Sequence, residues 1–591
     1  MKKVKQKRHN QVVFKPYEQN QMWLLPPSLG ELIPSNHIVR LVNDAIEGMD
    51  MSKLLNAYEG GGASNYHPKM LVKALVYGYI EKLYSSRGIE KALKENICFM
   101  WLCGMQQPDH NTINRFRKGQ LKDTVKDVFA QVVLLLIEQG FVRIEDYHVD
   151  GTKLESVANR YTFVWAKNIA RYKAGLLEKI ALLVDQIEQA NEEEQAEEKN
   201  EGGDEQEPPK IKDSQSLKQT IERINGQLEE ELGKNKKLKR KVEKLEKEHM
   251  KKLKEYEEHE KLLDGRSSYS KTDPDATFMR MKEDHMKNGQ LKPGYNIQIG
   301  TSDQFIINYT IHQSSTDWPA FIEHLQDTEQ VLQSIGQPLP KRGIGDAGYG
   351  SEQNYDYLEQ KGIENYLKYP GFYREQKASF QNNAFHSRNL YYNTEQDYYV
   401  CPMGQHLTYR YTTKVRSRLG YESQVRVYQA QRCEGCPLRG MCHKAKTDRI
   451  LQVNPNLERH RKIAKQNLWS LRGIRLRKKR NYDVEPVFGH IKGNRLFRRF
   501  LLKSLKKVNI EFGLLAIAHN IKKWWAMLQQ AIIVPLQPTP PHLPPATSQR
   551  LALPKPKTTV LALFSLYYSL IAQFVVFKQM ENKLILSICK N

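Results

Sequence analysis

Apolar positions along the chain change their period several times, and each change marks an expected element. In HPKMLVKALVYGYIEKLYSSRG, residues Leu71, Leu75, Ile80 and Leu83 suit the buried face of a helix, with Pro68 in a first turn that tolerates it. Ser85–Arg87 breaks this pattern, and a second helix containing Ile89, Leu93 and Ile97 is expected after it. Upstream, Ser35 or Asn36 is placed to cap a helix running through Ile46. Downstream, Asn111 or Thr112 precedes a basic segment that holds Arg115 and Arg117. Helix, turn, helix and a polar-basic third helix suit binding in a DNA groove or at a DNA end. They suit a plain helical dimerisation domain nearly as well, and periodicity alone does not choose.

The pattern then turns to strands. Tyr147 and Val149 in DYHVDGTKLE read as a short strand ending at a glycine, which puts Asp150 where the sheet stops. PGYNIQIGTSDQFIINYTIHQ reads as two strands across the turn Thr301–Gln304, TDWPAFIEHLQDTEQVLQSIG as a helix, and RGIGDAGYGSE as a short strand delivering Asp346. Antiparallel strands, a helix and a further acid-bearing strand predict an α/β core. Between the two acids lies an insertion. Leu176, Ile180, Leu183 and Ile187 form one helical stripe, an acidic stretch follows, and Leu217, Ile221, Ile224, Leu228, Leu238, Val242 and Leu245 continue a heptad interrupted by Glu231 and Asn235. This predicts a coiled-coil hairpin projecting from the core, or a coiled-coil dimerisation arm. From Asp483 onward the spacing predicts a helix that runs on through FGLLAIAHNIKKWWAM, with Glu485 and Lys492 two turns apart on one face. Residues 535–557 are Pro-rich. The uncharged run 558–577 has transmembrane length, but Ser565, Ser569 and Gln573 lower its hydrophobicity and favour an accessory tail over a membrane span.

Composition adds a partner class. Lys plus Arg number 91 against 67 Asp plus Glu, a formal +24, and such an excess points to a polyanion, with nucleic acid favoured over a membrane surface. The opening MKKVKQKRHNQ is basic with no apolar run behind it, so no signal peptide is expected. Seven cysteines in 591 residues do not suggest a disulfide framework, which makes a reducing cytoplasm the expected compartment. The positive charge peaks in Leu471–Lys507, where thirteen Lys or Arg surround only Asp483 and Glu485. A carboxylate amid cations is either a neutralised surface acid or a metal-holding group set among phosphate-binding cations. The second reading needs partner acids, and Asp150 and Asp346 are the candidates. Hard divalent cations take one or two carboxylates together with water and phosphate oxygens, and two such ions can clamp the attacking and leaving oxygens of a displacement at phosphorus. Asp273, Asp275, Asp303 and Asp317 read as turn or cap acids, while Lys153 and Tyr349 are placed to contact phosphate. Cys433 and Cys436, with Cys442 and the more distant Cys401, make a four-thiol set suited to structural Zn²⁺; His406 or His443 is a possible replacement ligand, and four reduced thiols without metal is the alternative.

HVDGTK around Asp150, GDAGYGSE around Asp346 and YDVEPVFGHIKGNRLFRRF around Glu485 resemble the DDE transposases of bacterial insertion sequences, most nearly the IS1182 group of the IS4-like assemblage. The likeness runs from about Gln19 to Trp525. Glu485 and Lys492 keep the family spacing; the family Arg position holds Asn481, with Arg480 one residue earlier. The resemblance implies an RNase H-like core and a DNA-end-binding role for the N-terminal helices. It also implies catalysis by Asp150, Asp346 and Glu485 holding two Mg²⁺, with Mn²⁺ able to substitute. Terminal inverted repeats and target DNA would be bound by Lys492, Arg495, Arg477, Lys478, Lys479, Arg480, Arg498 and Arg499, with Arg115 and Arg117 added from the N-terminal helices. A homodimer or higher oligomer would pair two ends. The expected division is a basic tail (1–18), a helical domain (19–140) and a catalytic domain (141–530), then a linker and hydrophobic tail (531–591). The catalytic domain would carry a coiled-coil insertion (172–265) and a Cys-rich insertion (395–450). An RNase H-like nuclease that joins nothing, and an inactive DNA-binding relic, are the alternatives.

Overall fold

The computed structural model describes residues 28–533, apart from 57, 59–64, 197–210, 228–235, 282–288 and 418. The expected basic tail at 1–18 and the hydrophobic run 558–577 lie outside the described residues, as do Leu228 and the interruptions Glu231 and Asn235. Among the described residues, no helix is long and apolar enough to cross a membrane.

The architecture is mixed α/β. Its main sheet is built on the strand Asp146–Glu155, which runs antiparallel to Leu291–Ser302 on one side and parallel to Arg342–Gly345 on the other. Beyond these, Phe305–His312 pairs antiparallel with Leu291–Ser302, and Glu364–Leu367 pairs parallel with Arg342–Gly345. Thr277–Arg280 pairs with the start of the long strand. The hairpin turn expected at Thr301–Gln304 forms, with Asp303 and Gln304 both at positive φ (49° and 64°), the pairing whose twist suits a two-residue hairpin. Residues Ala320–Ser334 form the expected helix ahead of the strand that leads to Asp346.

The last helix, Leu505–Ile533, is buried nearly all round where it crosses the sheet, with Val508, Phe512, Leu515, Ala516 and Ile517 at 1% exposure or less. It packs on the helices Pro68–Ile80 and Leu121–Glu138 and on strand Phe305–His312. The approach is close at Gly513, where a Cβ would lie 2.4 Å from the Tyr309 hydroxyl. One apolar core therefore runs from the N-terminal helices into the sheet. Pro68 opens its helix as expected, capped by His67; Ser85 caps Ser86–Glu95, while Ile97 starts a separate short helix capped by Asn96. The expected cap at Ser35 or Asn36 shifts to His37, and Asp109 caps the basic helix His110–Lys118.

Two expectations change. The helix foreseen from Glu485 into the C-terminal helix is interrupted. Its segment ends in a π turn, His490–Asn494, and an extended stretch crosses back to Glu155 before Leu505. A π turn carries more residues than an α turn, so the register slips. Lys492 is buried while Glu485 is exposed. The insertion is also more than a hairpin. Leu176, Ile180, Val184 and Ile187 pack with Leu217, Ile221 and Ile224 and with Val242, Leu245 and Leu253 from a third segment, closing a separate small core. This bundle is joined to the main sheet through the two-stranded ribbon of Phe163–Trp165 and Ser268–Ser270.

The stretch between the π turn and the last helix is held by Glu511, whose carboxylate accepts the backbone N–H groups of Leu501 and Leu502 at 3.0 to 3.1 Å. Burial pushes this carboxyl up to about 7, against an ordinary 4.5. The folded state then holds a proton that the unfolded chain has released, so its contribution is full below about pH 4.5 and is lost as pH rises through about 7. Glu511→Gln removes that titration. The urea midpoint of the wild type should fall relative to the variant by the equivalent of roughly 3 kcal/mol between pH 4.5 and pH 8, measured by denaturation at a series of pH values.

Candidate active site and Cys-rich cavity

Asp150 stands in the middle of a ten-residue strand rather than at its end. What ends there is the neighbour. Parallel pairing matches Asp146 with Arg342, Tyr147 with Gly343 and His148 with Ile344, then the partner strand stops at Gly345. Four residues beyond the first of these pairs, both chains carry an acid, Asp150 on one and Asp346 on the other. Each ties one carboxylate oxygen to local backbone: Asp150 Oδ1 accepts the N–H of Gly151, and Asp346 Oδ1 accepts the N–H of Gly348, both at 2.8 Å. The other oxygens face one cation, with Arg480 Nη2 3.1 Å from Asp150 Oδ2 and 3.9 Å from Asp346 Oδ2. Arg480 is buried on the helix Leu471–Asp483, and its Nε has no hydrogen-bond partner.

A third acid belongs to this cluster. Asp317 Oδ1 accepts from Asn296 Nδ2 and Gln298 Nε2 at 2.9 Å each, and a Cβ on Gly151 would lie 2.6 Å from that oxygen. The expectation of a plain turn acid gives no hint of this, because Asp317 reaches the site only through the fold of Leu291–Ser302. Tyr349 is fully buried and donates to Gln298 Oε1, so it does not face a phosphate. Burial, and then the nearby charges of Asp150, Asp317 and Asp346, hold its hydroxyl well above the ordinary tyrosine range. Lys153 is half-buried further along the same strand. Asp273 is fully buried and accepts from Ser156, Tyr295 and the Ser504 N–H; Asp275 accepts the N–H of Leu505 at the start of the last helix.

Three residues after Arg480, Asp483 is buried at the other side of the central strand. It accepts from Thr301 Oγ1 at 2.7 Å and from the N–H groups of Asp303 and Gln304 at 2.8 and 3.0 Å, clamping the hairpin turn. His148 lies beside Asp483, Nε2 3.9 Å from Oδ2, with neither ring nitrogen hydrogen-bonded, and burial lowers its pKa. Glu485 opens the short helix Glu485–Gly489 with its side chain exposed, outside the ion pairs that join Asp150, Asp346 and Arg480.

The cations expected to bind DNA divide by burial. Arg115, Lys478, Arg498 and Arg499 are exposed; Arg499 also donates to the carbonyls of Ser156 and Val157, and Arg498 to that of Lys492. Lys479 pairs with Asp303 at 2.8 Å, and Arg477 lies over the rings of Phe372 and Trp469. Four of the expected cations, Arg480 among them, are buried in the fold. Arg495, 1% exposed, donates to the carbonyls of Tyr79 and Ala518; Arg117, 3% exposed, donates to that of Tyr84; Lys492 is buried as well. Free carbonyls at bends and helix ends attract guanidinium donors inside the fold, and a sequence count of cations cannot separate these from surface ones.

The Cys-rich segment forms its own antiparallel sheet, in the order Ile450–Val453, Glu422–Ala430, His406–Arg416, Tyr398–Val400, Tyr391–Asn393. Cys401, Cys433, Cys436, Cys442 and His443 line one cavity beside it. Cys401 and Cys433 each precede a turn whose glycine, Gly404 or Gly435, has positive φ (80° and 70°). Arg449 donates its backbone N–H to Cys433 Sγ at 3.3 Å and a guanidinium N–H to Cys442 Sγ at 3.1 Å, and both His443 ring nitrogens are buried without a partner. His406 stacks on Tyr398 instead. Among the described residues, the group whose ligand atoms all lie within 4.8 Å of one another is a different one, Asp356, Glu359 and His460. Its oxygens are already engaged by Tyr421, Asn456 and Arg459, so it braces the helices Glu352–Gln360 and Pro455–Trp469.

Residues 400–525 match a family model described as Transposase DDE domain, and residues 27–119 match one described as Transposase domain (DUF772). No curated protein matches the chain. The two matches indicate a transposase of the IS4/IS5-like DDE type. The first takes in Glu485, Arg480 and the cysteines, and the second takes in the N-terminal helices with Arg115 and Arg117.

Removing Arg480 leaves Asp150 buried with its cation gone, a change that typically costs about 3–5 kcal/mol. Arg480→Gln should lower the urea midpoint accordingly. Adding Asp150→Asn should recover most of that loss, giving a coupling of at least about 1 kcal/mol in a double-mutant cycle.

Proposed function

We propose that this chain is a DNA transposase that binds the terminal inverted repeats of its insertion sequence and carries out metal-dependent strand cleavage and strand transfer. The observation that carries this reading is the convergence of Asp150 and Asp346 on one positive group, Arg480. Two carboxylates with one oxygen each tied back and one turned to a shared cation suit a divalent ion, for which the guanidinium stands in. The strand order of the main sheet, three antiparallel strands followed by two parallel ones, supports an RNase H-like core.

Asp150, Asp346 and Glu485 would hold the metal, with Asp317 adding negative charge behind the first two. Two Mg²⁺, or Mn²⁺ in their place, would supply an activated water or 3′-hydroxyl and stabilise the leaving oxygen. Glu485, exposed five residues after Arg480, is free to join when DNA arrives. Arg480 would exchange its carboxylates for a DNA phosphate, keeping the buried charge balanced as the ions enter. The exposed cations Arg498, Arg499, Lys478 and Arg115 would hold the DNA backbone, and two or more protomers would pair two ends.

The test is a cleavage and joining assay on DNA flanking the gene, with Mg²⁺, comparing wild type and Asp346→Asn. Nicking at the element ends and joined products are expected, both reduced at least about 10²-fold in the variant. Nicking without joining would make the chain a nuclease, and salt-sensitive binding with no cutting would make it a DNA-binding relic.

Structural Zn²⁺ at the Cys-rich cavity belongs to the same proposal, with Cys401, Cys433, Cys436 and Cys442 as ligands and His443 as the possible replacement. All four thiols share one cavity, and the Cys433 and Cys442 sulfurs both accept from Arg449 there. Elemental analysis of the purified protein should find about one zinc per chain, lost in Cys433→Ser/Cys436→Ser. A folded wild type without zinc would sink this part alone.

A further inference from the structure

The third segment of the inserted bundle puts its charges to two different uses. Lys236–Lys244, Leu245–His249 and Met250–Leu263 follow one another without a break. Val242, Leu245, His249 and Leu253 are buried against the rest of the bundle. On the side away from that seam, Arg240, Lys244, Lys247, Lys251 and Lys254 recur at steps of four and three, and all five are exposed. None of them has an ion pair among the described residues. From 236 to 254 ten Lys or Arg stand against three acids, Glu243, Glu246 and Glu248, and four more acids follow at 255–260. Three of the seven acids are engaged with the rest of the bundle. Glu246 accepts from Asn225, Glu257 accepts from Ser214, and Glu260 pairs with Lys173 at 2.7 Å. Glu248 is exposed beside the row, and Glu255 and Glu258 are exposed just past its end, so the positive excess is confined to 236–254.

From Arg240 to Lys254 the stripe is about 21 Å long at 1.5 Å per residue, with a cation roughly every 5 Å. That row spans about six base pairs of duplex at 3.4 Å each, with the phosphates regularly spaced beneath it. We infer that the outward face of this helix is a second, sequence-independent binding surface for the phosphate backbone of duplex DNA. It is carried on a bundle that the ribbon Phe163–Trp165 and Ser268–Ser270 joins to the strand of Asp150. The inference rests on the DNA-processing reading above and gives the insertion a part in it: to hold DNA away from the reacting bond.

The rival occupant is the chain itself, since residues 192–207 of the same insertion hold nine acids and one lysine. The experiment uses the full chain and a variant with Arg240, Lys244, Lys247, Lys251 and Lys254 all changed to Gln, a residue of similar helix propensity. Circular dichroism first checks that helix content is kept. Binding to a random-sequence duplex is then measured from about 50 to 200 mM salt. The variant should bind at least about tenfold more weakly, with the log–log salt slope flatter by about 0.9 for each phosphate that the stripe no longer neutralises. A slope flattened by less than one unit overturns the inference. An unchanged slope together with new proteolytic cleavage within 192–207 assigns the stripe to the acidic segment instead. If wild type binds duplex with this stripe dependence but cuts nothing, the inference stands and the transposase reading fails.

Discussion

The structure around the acids depends on keeping buried charges compensated along one helix. Arg480 and Asp483 stand one turn apart on Leu471–Asp483, and each answers an opposite need of the sheet. Arg480 supplies positive charge to Asp150 and Asp346, while Asp483 accepts the Thr301 hydroxyl and the backbone donors of the hairpin turn that follows it. An isolated charge at either place would be expensive in so little water. The helix is thereby fixed against the central strand in one register, which also fixes where Glu485 begins its own short helix. A divalent ion bound here would have to respect the same balance, because it would compete with the Arg480 guanidinium for the same carboxylate oxygens.

The large positive charge of the chain is not a map of its outer surface. Arg495 and Arg117 serve carbonyls inside the fold, and Lys126 is half-buried against Asp327 and the face of Tyr309. What remains outside is unevenly spread. Exposed cations flank the acids at Lys478, Arg498 and Arg499, and a separate row lines the insertion. An excess of basic residues thus divides into structural, site-flanking and peripheral groups, and each has a different physical reason to be positive.

The helical bundle and the Cys-rich sheet each keep an apolar core of their own beside the main one. The helical bundle begins and ends on two short paired strands, and it closes its own apolar seam. The Cys-rich sheet does the same around Leu407, Tyr428 and Leu451. It is tied to the core through Glu352 and Asp356, which accept from Ser423, Tyr421, Asn454 and Asn456. Closing a longer loop adds little entropy cost once the entry points are paired, so a small sheet core can carry additions of this size.

Residue spacing alone does not give the core helix Leu121–Glu138 or the strands Thr277–Arg280 and Glu364–Leu367, but it does give the hairpin across Thr301–Gln304, the helix and strand that lead to Asp346, the strand around Asp150 and the apolar stripes of the insertion. These are local properties, set by residue spacing and turn chemistry. That Asp150 lies mid-strand, that Asp317 joins it, and that Arg480 is the cation between Asp150 and Asp346 follow from packing between distant segments. Register, burial and charge pairing arise between segments far apart in the chain, and no local period carries them. The π turn at His490–Asn494 has the same cause: a helical spacing of apolar residues was legible, but the packing that slips the register and separates Lys492 from Glu485 was not. The cysteines show both halves at once. Their spacing brought four thiols into view, and the fold alone set them, with His443, around one cavity.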